Sequence, residues 1–180
     1  MTPQPVLLDL TAEERKRRTR IRWLLIVFVI GLILSGVTAF PLVWELSLLD
    51  EFLGPSTAIG ETFPALASWI NRVHQGLVET DQKYPFMLYG TDWLAFAHLM
   101  IAVAFWGPLK DPIKNVWVIE FGMIACLMIF PLAFICGPIR GIPFYWRLID
   151  CSFGVFGIIP LWLARQEVKK LIPLDQRPSN

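Results

Sequence analysis

Four stretches of this chain are so apolar and so long that they restrict it to one class of fold. They are Trp23–Phe40, Phe86–Trp106, Val116–Cys136 and Leu148–Ala164, about 17–21 residues each. At 1.5 Å per helical residue, such a run crosses a hydrocarbon core of ~30 Å. Inside that core every backbone N–H and C=O needs a partner within its own segment, so each run must be a helix. The expected fold is an all-α membrane protein with four transmembrane helices, packed as a four-helix bundle. The wider composition agrees. Hydrophobic residues make up 55% of the chain and charged residues only 17%, against about 25% charged in soluble domains.

The rest of the chain divides around these runs. Residues 1–22 form a basic tail, and residues 165–180 form a second polar tail. Pro41–Pro85 is the longest hydrophilic stretch. Within it Leu66, Trp69, Ile70, Val73 and Leu77 recur at helical spacing, which predicts an amphipathic helix over about 63–80. Thr62 is its expected N-cap, with Pro64 in the first turn. Gly107-Pro108 is expected to end the second span, and 137–147 to connect the third to the fourth. Val37-Thr38-Ala39 has a signal-peptidase pattern, but the charged region before it is longer than such a peptide uses. The first run is therefore read as a retained span.

Orientation follows from Lys and Arg. Of the 16 basic residues, twelve fall on one side if the N-terminus faces the cytoplasm: Arg15, Lys16, Arg17, Arg18, Arg20, Arg22, Lys110, Lys114, Arg165, Lys169, Lys170 and Arg177. Both termini are thus expected in the cytoplasm, with the amphipathic helix on the outer face of a bacterial inner (plasma) membrane. Tyr84, Tyr89 and Tyr145 then cluster near the outer interface. The net charge of +1 gives no reason to expect a nucleic-acid partner. The expected partners are the lipid bilayer and other membrane subunits or further copies of the chain.

Two units starting at Gly107-Pro108 and Gly137-Pro138 each lead through an interfacial Trp and an acidic residue to a Pro-Leu pair. They resemble a weak internal repeat of about 30 residues. Its copies would enter the membrane from opposite sides, as inverted repeats do.

Chemistry-bearing residues are few. His98 lies midway through the second span and shares a helical face with Thr91, Ala95 and Ala102, the small or polar positions of that helix. An ionisable group at such depth is costly and rarely idle. His98, with His74 on the amphipathic helix, is the candidate for binding haem b or a quinone. Asp92, Arg140, Arg147, Asp150 and Glu45 fall near the outer ends of the spans. They form a candidate ion-pair or ligand network, with Asp150 one helical turn past Arg147. Glu120 lies one turn inside the opposite end of the third span, within reach of Lys110 or Lys114.

A two-haem cytochrome needs two histidine pairs within its spans, and this chain has two histidines in all. The cysteines, Cys126, Cys136 and Cys151, are too dispersed for zinc and sit in apolar context, as buried thiols do. No phosphate loop, nucleophile elbow or HExxH is present. No catalytic or metal site is expected, and an enzyme is the less favoured class. The leading functional expectation is a non-enzymatic accessory, assembly or scaffold component of a membrane complex. In the first span Gly31, Ser35 and Ala39 form a ridge of small residues suited to helix contact. The alternatives are a small haem- or quinone-interacting redox protein and a proton-coupled transporter.

Overall fold

The computed structural model describes residues 12–175, with side chains as far as Ile172. Residues 1–11 of the basic tail and Arg177 of the second tail lie outside the described residues. No strand occurs among those described. Four segments are helical, long and apolar enough to cross a membrane: Ala12–Thr38, Pro85–Lys110, Val116–Ile139 and Phe144–Ile172. The chain is an all-α membrane protein. Its surface agrees, because Val27, Ile124 and Phe156 are 60%, 60% and 71% exposed, a display of large apolar side chains that lipid accepts and water does not.

The contacts divide the chain into two compact units, 1–31 with 103–180, and 32–102. Helix α1 (Ala12–Thr38) contributes its first turns to one and its last turns to the other.

In the unit that includes residues 103–175, the main packing is between α7 (Val116–Pro131) and α9 (Phe144–Asp175). Small residues set how close they come. A Cβ on Gly154 of α9 would lie 2.6 Å from the Cys126 carbonyl oxygen of α7, so the two backbones nearly touch. Gly122 of α7 likewise makes room for Phe105 and Leu161. Phe105 is wholly buried, and its ring lies 4.9 Å from that of Phe28 on α1. Ile21, Leu25, Ile119, Val168 and Leu171 complete this core.

Pro131 ends α7 without breaking the span. It offers no N–H and crowds the preceding turn. The chain answers with a widened π turn over Leu132–Cys136, followed by the single turn α8 (Gly137–Ile139). Gly141, at φ 70°, then closes the segment. Its N–H reaches the Pro138 carbonyl and that of Ile142 reaches Gly137, a Schellman motif that needs a residue tolerant of the left-handed region.

In the unit 32–102, α2 (Leu42–Leu53) packs on α4 (Pro64–Lys83), with the short α3 (Ala58–Thr62) between them in sequence. A single 3₁₀ turn, Pro85–Met87, leads into α5 (Tyr89–Ala104). The last turns of α1 approach α5 at Gly36, where a Cβ would meet the Ala95 carbonyl at 3.0 Å and His98 Cβ at 3.1 Å.

Several boundaries differ from the sequence reading. The hydrophilic stretch holds α2 and α3 as well as the expected helix. Pro41 begins α2, and Gly54 ends it through a hydrogen bond to the Asp50 carbonyl. Thr62 is not the cap of α4. It belongs to α3, and Phe63 takes the cap position with no side-chain bond. Gly107-Pro108 does not end the second span, because Trp106–Lys110 continues it as the short helix α6. Proline is tolerated there in the first turn, where its missing N–H would lack a helical partner anyway. The connector after the third span shrinks to residues 140–143, and α9 extends well past Ala164.

Candidate functional site

Three carboxylates, Glu120, Glu167 and Asp50, are held by residues distant in sequence. Glu120, in the second turn of α7, faces Arg165 of α9. The guanidinium donates from Nε at 2.8 Å and Nη2 at 2.6 Å to the same carboxylate oxygen, Oε1. The expected lysines do something else. Lys110 lies 5.6 Å from the Trp106 ring centre, and Lys114 pairs with Asp111 at 3.7 Å.

The polar turns beyond the apolar runs, before Trp23 on α1 and after Ala164 on α9, form a second cluster outside the spans. Glu167 is only 5% exposed, yet it accepts from Arg17 Nη1 at 2.8 Å, Lys170 Nζ at 3.2 Å and Arg20 Nη1 at 3.3 Å. Arg17 also bonds Glu13 one turn earlier. Burial alone would push the Glu167 carboxyl up. The hydrogen bonds and charges of Lys170 and Arg17 outweigh it and hold the carboxyl below the usual carboxylate range. A cavity of about 510 Å³, lined by Ala12, Glu13, Lys16, Arg17, Arg20 and Glu167, adjoins the knot.

His74 has a defined partner that the sequence reading lacked. Its Nδ1 lies 3.3 Å from Asp50 Oδ2, and Asn71 Nδ2 donates to both Asp50 oxygens at 3.1 and 3.3 Å. A carboxylate accepts only, so Nδ1 carries the proton. This triad ties α4 to α2.

His98 sits at the Gly36 contact. Its Nδ1 lies 2.8 Å from the Leu94 carbonyl oxygen, one turn back on its own helix. The carbonyl can only accept, so here too Nδ1 is protonated and Nε2 is left as the acceptor. Nε2 has no hydrogen-bond partner among the described residues.

Of the remaining candidates, Arg140, Arg147 and Asp150 belong to one compact unit and Glu45 and Asp92 to the other. Arg147 lies across Gly137, where a Cβ would strike its methylenes, and its guanidinium carbon is 5.2 Å from the Phe144 ring centre. Arg147 Nε is buried without a hydrogen bond, and no ion pair joins Arg147 to Asp150 among the described residues. Arg140 is exposed in the turn after α8, and Glu45 is half-buried in the first turn of α2. Asp92, in the first turn of α5, lines a cavity of about 290 Å³ with Phe40, Tyr89, Trp93 and Phe96. Among the described residues, no group of three or more His, Cys, Asp or Glu side chains is placed to hold a metal.

No family model, characterised protein or solved structure matches this chain. Its function must therefore be argued from the residues themselves. Arg165, Glu167, Asp50 and Asn71 are the ones sequence reasoning passes over. For Asp50 the turn signal Gly54-Pro55 could have ended a helix and drawn attention to it. Arg165 gives no local signal, since its partner Glu120 lies 45 positions away. Counting offers Glu167 only Lys170 one turn on, and its Arg17 partner lies 150 positions away.

Proposed function

We propose that this chain is a non-enzymatic component of a larger membrane assembly, an accessory or scaffold subunit. It would sit as a four-helix bundle in a bacterial inner membrane, with both termini cytoplasmic. The observation that carries the reading is the outward face of α1. A Cβ on Gly31 would have nothing within 4 Å. Ser35, one turn on, is exposed, as are Val27, Ile30 and Leu34 beside it. Small residues four apart let another helix approach closely in lipid, where association depends on packing rather than on the hydrophobic effect. Among the described residues, α1 uses Gly36 for its own packing and leaves the Gly31 position open and Ser35 exposed. Strong charge pairs at Glu120 and Glu167 hold the chain's own helices together.

The test is Gly31→Leu with Ser35→Leu. Extracted in mild detergent, the wild-type chain is expected to migrate with other subunits or copies. The double variant is expected to migrate alone with unchanged folding stability. A wild-type chain that migrates as a monomer, or a variant that keeps its partners, overturns the reading.

One observation favours a second reading, a small haem- or quinone-interacting protein. His98 donates from Nδ1 to a main-chain carbonyl, which fixes the ring and leaves Nε2 to ligate or to accept, the arrangement common to ligating histidines. Purified protein with a Soret band lost in His98→Leu would support haem. Colourless protein removes it.

A further inference from the structure

The cavity beside Asp92 combines features that belong to the recognition of organic cations. Its position follows from helix packing. Gly36 lets the end of α1 come down on the Ala95 backbone of α5. In the turn just past the end of α1, and three residues earlier on α5, the chain reaches Phe40 and Asp92, and bulky residues leave a gap of about 290 Å³. Four of its five lining side chains are aromatic. Tyr89 and Trp93 stand 6.0 Å apart at 77°, and Trp93 and Phe96 stand 5.8 Å apart at 88°. These are edge-to-face pairs, the arrangement that aromatic quadrupoles prefer.

Asp92 supplies the independent observation. Its carboxylate takes part in no ion pair and no side-chain hydrogen bond among the described residues. Its place in the first turn of α5 offsets part of the charge through the helix dipole, but leaves both oxygens without a cation. Aromatic faces and a carboxylate both present negative potential, so the complementary ligand is a cation. A metal ion would need several oxygen ligands, and this cavity offers one carboxylate. A quaternary or primary ammonium needs only the charge and the ring faces.

The surroundings name the source. The cavity lies at the end of apolar helices, and Tyr89 and Trp93 are 61% and 57% exposed, as aromatic side chains are at the headgroup level of a bilayer. The volume falls just below the range of drug-sized pockets, about 300–1,000 Å³, and suits a headgroup. We propose that Phe40, Tyr89, Asp92, Trp93 and Phe96 bind the ammonium of a zwitterionic phospholipid headgroup. The ring faces hold the cation and Asp92 neutralises it.

The experiment uses the full chain in dodecyl maltoside and calorimetric titration with dihexanoylphosphatidylcholine. Dihexanoylphosphatidylglycerol, with the same acyl chains and no ammonium, is the control. The choline lipid is expected to bind saturably and the glycerol lipid not to. Tetramethylammonium chloride is expected to displace the bound lipid, while sodium chloride at equal ionic strength is not. That competition needs no variant. Asp92→Asn and Trp93→Leu are each expected to weaken binding about tenfold, with Asp92→Glu close to wild type. Equal binding of both lipids, failure of tetramethylammonium to compete, or unchanged affinity in Asp92→Asn overturns the proposal. If tetramethylammonium alone binds as tightly as the lipid, the ligand is a free organic cation and the lipid assignment fails.

Discussion

Gly154→Ala tests the closest approach in the fold. The added Cβ would sit 2.6 Å from the Cys126 carbonyl oxygen, 3.5 Å from its carbon and 3.4 Å from Ile129 Cδ1. Side-chain carbons do not come within 3.0 Å of such atoms, so α9 must shift by at least 0.4 Å, the difference between 3.0 and 2.6 Å. The obstacle is main chain within a helix and cannot rotate away. Overpacking of this kind costs about 1–3 kcal/mol. Against it, alanine is about 1 kcal/mol more favourable than glycine in a helix interior. The two effects separate by comparison with Gly31→Ala, the same chemical change on an apolar helix with nothing within 4 Å. The propensity gain cancels between them, so Gly154→Ala should be less stable than Gly31→Ala by about 1–3 kcal/mol. Gly122→Ala should fall between, because its Cβ would meet Phe105 Cζ and Leu161 Cδ1, ends of side chains that can move. Equilibrium unfolding in mixed detergent micelles measures all three. If Gly154→Ala and Gly31→Ala agree within about 0.5 kcal/mol, the backbones of α7 and α9 are not in contact and the packing argument fails.

The knot at Glu167 makes a second prediction. Glu167→Leu should cost about 2–3 kcal/mol, less than the 3–5 of a fully buried pair, because Arg20 and Lys170 are 60% and 55% exposed and can rehydrate. The folded carboxyl titrates below its ordinary value, so the difference between wild type and variant should be constant near neutral pH. It should shrink as pH falls below about 4.3; a difference that grows on acidification refutes the assignment. At the triad of α2 and α4, Asp50→Ala leaves His74 Nδ1 and Asn71 Nδ2 without their acceptor, and should lower stability by about 1–3 kcal/mol. An unchanged midpoint would show that the triad contributes nothing. His98→Leu should change stability by less than about 1 kcal/mol, since its hydrogen bond is local to α5; a larger loss would mean that Nε2 has a partner on another helix. Reporter fusions at Pro55 and Lys110 should score opposite compartments, as the basic-residue asymmetry requires, and matching scores would end that topology.

The four membrane helices are legible because lipid makes their demand local. Each run must satisfy its own backbone, so length and hydropathy within one window decide the outcome. Pro131 shows the limit of such reading. The sequence marks an interruption, but whether the helix stops or widens depends on the residues past the proline and their packing, and here a π turn carries it on to Cys136. The helix α2 is hidden for a related reason. Leu42–Leu53 is too short for a span, and Glu45, Asp50 and Glu51 interrupt its apolar residues within a longer hydrophilic stretch. Its stability comes from packing on α4, and none of its residues is fully buried. A short helix of this kind is fixed by its tertiary neighbour more than by propensity.

Side-chain partners divide in the same way. Pairs within one or two turns of each other are readable by counting, and Arg17 with Glu13 is such a pair. Nearness in sequence pairs Glu120 with Lys110 or Lys114. The structure gives it Arg165, 45 positions away. The physical reason is geometry. Lys114 belongs to the connector before α7, where it meets Asp111, whereas Arg165 projects from α9, which packs along α7. A planar guanidinium can set two donors on one carboxylate, which an ammonium on a flexible stem does with less preorganisation. A charge one turn inside a span therefore finds its counter-charge on the helix that packs against it. Among the described residues Asp92 has no ion pair, which makes its aromatic cavity a place for a ligand from outside the chain.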